Sequence, residues 1–104
     1  MKQSECLARL ILQDLGFENV KKMKGFGRSD FKANRREDQC TIEVKSVRKG
    51  KITKDDARST ATLKRHQISR MAEEKHESNI RPFVLYLDSK QYFLFELIDA
   101  GVLT

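Results

Sequence analysis

The sequence predicts a small α/β domain, with one mixed sheet and helices packed on it. Three observations carry this. Residues 4–15, SECLARLILQDL, repeat apolar side chains at helical spacing. Residues 41–47, TIEVKSV, are β-formers with charges two positions apart, the side-chain period of a strand. Two more apolar strands, FVLYLD at 83–88 and YFLFEL at 92–97, follow a second helical stretch. The chain has 104 residues, a length that fits one domain. A chain of this size buries roughly 60–70% of its unfolded surface, enough for one modest core.

In the first helix Leu7, Ile11 and Leu15 recur at spacing four, with Leu10 beside them, as an apolar stripe. Ser4 is the expected N-cap, and Gly16 ends the helix. FENV, residues 17–20, is a candidate short strand. KKMKGFGRS, residues 21–29, is basic and glycine-bearing and reads as a loop. DFKANRR, residues 30–36, reads as a strand, Glu37-Asp38 as a turn, and residues 39–47 as the antiparallel partner. RKGK, residues 48–51, is a basic loop.

Thr53, with Asp55 and Asp56 after it, marks a helix start. That helix runs to about residue 76, in one piece or in two around RSTAT (residues 58–62), and turns Ala57, Ala61, Ile68, Met71 and Ala72 toward the core. Ser89-Lys90 turns the chain between the last two strands, and IDAGVL closes it as a short helical turn. There is no internal repeat and a single proline, Pro82.

Composition narrows the function. Hydrophobic residues make up 38% and charged residues 35%, polar for a globular chain but with clear apolar segments, which argues against wholesale disorder. Lys plus Arg number 21 against 15 Asp plus Glu, a net charge of +6. Such a balance favours an anionic partner, nucleic acid first. The two cysteines, Cys6 and Cys40, form no CxxC pair and are expected as buried thiols in a reducing cytoplasm. Residues 1–5 lack the apolar run of a signal peptide, and no stretch approaches the ~18–20 apolar residues of a membrane span. The expectation is a cytoplasmic protein with no membrane partner.

The chemistry sits in the central hairpin. Glu43 and Lys45 point from one face of their strand, Ile42 and Val44 from the other. With a turn near residues 37–38, Asp30 lies beside Glu43 at the same end of adjacent strands. Two neighbouring carboxylates repel, and a divalent cation removes that cost. Oxygen ligands of this kind suit Mg²⁺ or Mn²⁺. Lys45 is then placed to hold or deprotonate a water, or to stabilise an oxyanion. Two carboxylates, a metal and a lysine can hydrolyse a phosphodiester. The same residues also read as a solvated sheet face with an ordinary cross-strand ion pair.

SDF, twelve intervening residues between Asp30 and Glu43, and EVK together resemble the PD-(D/E)xK nuclease superfamily. A helix bearing Glu5 before them, a helix bearing Gln67 after them and a closing strand pair fit the same pattern, so the likeness spans about residues 4–97. It is greatest to archaeal and viral Holliday junction resolvases and to VRR-NUC nucleases. Ser29 stands where the family usually has proline. The resemblance implies a restriction-endonuclease-like core in a single domain, residues 1–104, with a mixed β-sheet flanked by helices. It implies Asp30, Glu43 and the Val44 carbonyl as metal ligands, with Glu5 in support. It further implies Lys45 as the residue that positions water and Gln67 as a site residue. Glu5 also reads as a plain helix-start residue favoured by the helix dipole, and Gln67 as a surface residue. His66 and His76 read as surface residues.

Two basic loops flank the proposed site in sequence. Lys21, Lys22, Lys24 and Arg28 precede it, and Arg48, Lys49 and Lys51 follow it, all placed to meet phosphates. KKMKGFGR lacks the strand–GxGxxG–helix context of a dinucleotide site. Phe26 reads as a packing residue first, with stacking on a base as the alternative.

The expected function is metal-dependent cleavage of DNA at branched structures by a homodimer, since symmetric junction cutting needs two sites. The apolar C-terminal strand pair is its candidate interface. A flap, nicking or restriction-like nuclease of the same superfamily, a non-catalytic nucleic-acid-binding module and a protein–protein adaptor are the alternatives.

Overall fold

Strand pairing is built outward from the hairpin that the period-two pattern marks. The structure, a computed structural model, describes residues 2–24, 29–46, 63–87, 91–99 and 102–104. In chain order the described elements are α1 (Lys2–Asp14), β1 (Glu18–Lys22), β2 (Phe31–Arg35), β3 (Asp38–Ser46), α2 (Arg65–Glu77), β4 (Arg81–Leu87), β5 (Tyr92–Asp99) and β6 (Val102–Leu103). The six strands form one sheet in chain order, β1-β2-β3-β4-β5-β6. Every neighbouring pair is antiparallel except β3–β4, which is parallel. A parallel pair needs a crossover connection, and α2 lies on the one between β3 and β4. The sheet is mixed, as expected, with a helix on each face.

The alternation of side chains divides the core in two. Val20, Phe31, Ala33, Cys40, Ile42, Phe83 and Leu85 face α1 and pack on its Ala8 and Leu12. Val84, Tyr86, Phe95 and Leu97 face the other way and pack on Met71 of α2. Ile68 packs at the edge of this second cluster, and Ala72 is half-buried, so these three residues meet their expectation. Ala57, Ala61 and the expected helix start at Thr53 lie outside the described residues.

Several expectations are corrected. The buried stripe of α1 runs through Ala8 and Leu12, with Ile11 and Leu15 at its margin, while Leu7 is 49% and Leu10 62% exposed. A small alanine at the centre of the stripe lets the helix approach the sheet, and the larger leucines fall to the side. Cys6 is exposed and only Cys40 is buried. Two residues before Ala8 is about 200° round the helix, so Cys6 lies on the solvent side.

The helix begins at Lys2, so Ser4 is inside it rather than capping it. Lys21 and Lys22 belong to β1 rather than to a loop. The hairpin turn falls at Arg36-Glu37, with Arg35 opposite Asp38 and Arg36 at φ 59°. The chain ends in strand β6 instead of a helical turn, because Glu96 and Thr104 exchange both backbone hydrogen bonds, at 2.9 and 3.0 Å.

Candidate functional site

Strand β2 stops at Phe31, opposite Ile42, while β3 runs on to Ser46 beside β4. The next residue outward from Phe31 is Asp30, and the next beyond Ile42 is Glu43. The register therefore brings the two acids to one end of the hairpin. Where β2 has ended, the Asp30 side chain replaces the missing strand: its Oδ2 accepts the Val44 N–H at 2.7 Å. The N–H and C=O of one strand residue point the same way, so the Val44 carbonyl also faces this gap.

Glu43 is 6% exposed and lies beside Asp30. Its carboxyl is pushed up to about 7 by burial first, then by the adjacent Asp30 carboxylate, against the opposing pull of Arg70. Arg70 Nη2 contacts Glu43 Oε1 at 2.6 Å, and Gln67 Nε2 donates to Oε2 at 3.3 Å.

Lys45, on the same face as Glu43, donates from Nζ to Gln67 Oε1 at 3.0 Å. That oxygen also accepts the Lys64 N–H at 2.9 Å, which closes the first turn of α2. Gln67 thus holds three groups at once: the start of its own helix, the ammonium of Lys45 and the carboxyl of Glu43.

Helix α2 and strand β3 meet in three rungs. Thr41 Oγ1 donates to Glu74 Oε1 at 2.9 Å, Glu43 meets Arg70, and Lys45 meets Gln67. Two strand residues advance about 6.6 Å, and three or four helical residues about 4.5–6 Å, so the rungs stay in step along antiparallel axes. Burial pushes the Glu74 carboxyl up, moderated by the Thr41 hydroxyl and Arg70. Thr41, Arg70 and Glu74 were not singled out in the sequence. The signal that finds them is the i, i+3, i+7 spacing of Gln67, Arg70 and Glu74, one helix face matched to residues 41, 43 and 45.

Glu5 is half-buried and ion-paired with Lys22 on β1. Adjacent in sequence, Lys21 and Lys22 go to opposite faces, since Lys22 pairs with Phe31 and Lys21 with Lys32. Lys24 is exposed just beyond β1. Arg28, Arg48, Lys49, Lys51 and Phe26 lie outside the described residues. His66 and His76 are exposed, as expected of surface residues.

Among the described residues no group of three or more His, Cys, Asp or Glu side chains converges as a metal site. The donors present are two carboxylates and a carbonyl, hard oxygen ligands. Mg²⁺ typically takes one or two carboxylates and completes its shell with water and substrate phosphate, so this donor set fits it. No helix among the described residues is long and apolar enough to cross a membrane.

No protein-family model matches the chain, and no curated protein matches it significantly. Among solved structures it is similar to Hjc, a Holliday junction resolvase from the archaeal hyperthermophile Archaeoglobus fulgidus. The TM-score is 0.62 at 15% sequence identity, covering 99% of this chain and 81% of that chain. The chain therefore has the restriction-endonuclease-like fold that its motifs imply.

Proposed function

We propose that the chain is a metal-dependent endodeoxyribonuclease that hydrolyses DNA phosphodiesters at branched structures such as Holliday junctions. The observation that carries this reading is the pairing of Asp30 with buried Glu43 at one end of the hairpin, with Lys45 held on the same face by Gln67. The likeness in fold to a Holliday junction resolvase supports the choice of substrate.

Asp30, Glu43 and the Val44 carbonyl would hold Mg²⁺ or Mn²⁺. When bound, the cation supplies positive charge to the phosphate oxygens and acidifies a water. Lys45 holds that water by hydrogen bonding and offsets negative charge as it develops on the phosphate. Gln67 fixes the Lys45 ammonium, and Arg70 fixes the Glu43 carboxylate. Asp30 orients the end of the hairpin through the Val44 N–H. A homodimer would supply the two sites that symmetric junction cutting needs.

Incubation of the protein with a four-way junction and with supercoiled plasmid, in Mg²⁺ or EDTA, tests this. The expected result is metal-dependent cleavage that Asp30→Asn and Lys45→Ala each reduce at least 10²-fold, with DNA binding retained. Binding without cleavage in either metal makes the chain a non-catalytic module. Cleavage of linear duplex as fast as the junction moves it to the restriction-like alternative.

A further inference from the structure

Helix α2 packs against β3, β4 and β5 on its face of the sheet. Beside it, lined by residues of β1 and β2, lies a cleft of about 500 Å³, within the usual range of small-ligand sites. Its far wall is Thr41, Arg70 and Glu74, so it is continuous with the rungs that hold the carboxyl pair.

Two features of the cleft are unfavourable to the fold itself. Lys21 and Lys32 are direct partners in the β1–β2 ladder. Their Cβ atoms are then about 5 Å apart, and like charges so placed destabilise a sheet. Both side chains are exposed, and among the described residues no carboxylate pairs with either. In addition, β1 carries one extra residue between Glu18 and Lys21, where the register to β2 shifts. Asn19 occupies this bulge at φ 54°, the left-handed region that asparagine tolerates best among non-glycine residues. Its Nδ2 donates to Asn34 Oδ1 at 3.3 Å at the edge of the cleft.

An anion between the lysines removes the first cost and gives the cleft its chemistry. Two long, flexible lysines on paired positions can each donate to one of the two free oxygens of a phosphodiester. Nearby amides, among them Gln39, offer both donors and acceptors, which suits the edge of a base. Lys32 lies directly opposite Thr41, two residues before Glu43 on the same face.

We propose that this cleft holds the nucleotide adjoining the cleaved phosphate, with Lys21 and Lys32 sharing its phosphate group and the amides contacting its nucleoside. This rests on the reading of the chain as a DNA-cleaving enzyme and adds where the strand runs: across β2 toward β1, on the α2 side of the sheet.

Lys32→Glu separates a ligand site from an incidental charge. The substitution places a carboxylate opposite Lys21, so the fold should melt at the same temperature or higher. Binding of a fluorescein-labelled single-stranded oligonucleotide and of a labelled four-way junction, measured in EDTA across a salt series, should weaken roughly tenfold or more at 0.1 M salt. The slope of log affinity against log salt should fall by about 1–2. Gln39→Ala should weaken binding without changing that slope.

Unchanged affinity and slope in Lys32→Glu, beside a wild-type protein that cuts junctions, overturns the cleft and leaves the nuclease reading standing. Full affinity in Gln39→Ala overturns the nucleoside contact. A wild-type protein that neither binds nor cuts DNA overturns both.

Discussion

At the residue scale, the site is governed by what surrounds one carboxyl. Glu43 is buried beside a second acid, so its proton affinity is high. The Arg70 guanidinium opposes this, and the ion pair is itself largely buried, with side chains 17% and 8% exposed. Arg70→Ala should therefore move the Glu43 titration further upward, and Asp30→Asn should move it down. Carbon-detected NMR titration of the glutamate carboxyl reads both directions. Loss of Arg70 leaves a buried charge without its guanidinium, so the variant should also lose roughly 2–4 kcal/mol of stability at pH 8. An unmoved Glu43 titration in both variants would remove the coupling on which the site depends.

At the element scale, the ends of α1 and α2 are fixed by different devices. Gly16 lies at φ 95°, its N–H donates to Gln13 O at 3.1 Å, and the Phe17 N–H donates to Leu12 O at 3.0 Å. This is a Schellman termination, with Leu12 and Phe17 both buried in the α1-side core. A Cβ on Gly16 would meet nothing within 4 Å. Gly16→Ala should thus cost only the conformational term, about 1–2 kcal/mol in urea unfolding. Helix α2 has no such freedom at its start, because the side chain that caps it, Gln67, also holds Lys45. Its first turn and the site are ordered by the same amide.

At the scale of the whole molecule, the sheet carries two separate apolar layers and one polar seam. The α1 layer is closed by cations as well as by packing: Arg35 lies 5.0 Å from the Phe17 ring centroid, and Arg81 5.3 Å from that of Phe83. Arg81 also ties three strands, with both Nε and Nη2 at 2.8 Å from the Glu96 carboxylate and Nη1 at 3.1 Å from Asp38.

The polar seam under α2 makes stability depend on pH. Glu43 binds its proton more tightly in the folded chain, so its contribution is fully present below about pH 4.5 and is lost as pH rises through about 7. Glu43→Gln keeps a donor for Asp30 and an oxygen for Arg70 without the charge. Its stability relative to the wild type should rise between those pH values, by on the order of 3 kcal/mol, in metal-free buffer. Glu74, shifted the same way, is common to both proteins and cancels in the difference. Thermal melts from pH 4.5 to 8 test this, and parallel curves would refute it. The variant is expected to be more stable and, on the proposed function, inactive, the trade-off of a site built from destabilising parts.

The alternation in TIEVKSV was enough to assign Glu43 and Lys45 to one face and Ile42 and Val44 to the other, because strand geometry is local. The hairpin followed from the same pattern, and with it the neighbourhood of Asp30 and Glu43. The glycine that ends α1 was also legible, since only the backbone torsion at that point matters. Which leucines α1 buries was not, because four apolar positions fit more than one stripe until a sheet selects Ala8 and Leu12. Nor was the strand at the C-terminus, which forms only because β5 offers Glu96 as a partner for Thr104. The partners of the acids, Arg70 on Glu43 and Glu74 on Thr41, are separated by 27 and 33 residues in sequence. Local pattern places a side chain on a face, but only the packing of α2 across β3 decides what that face meets.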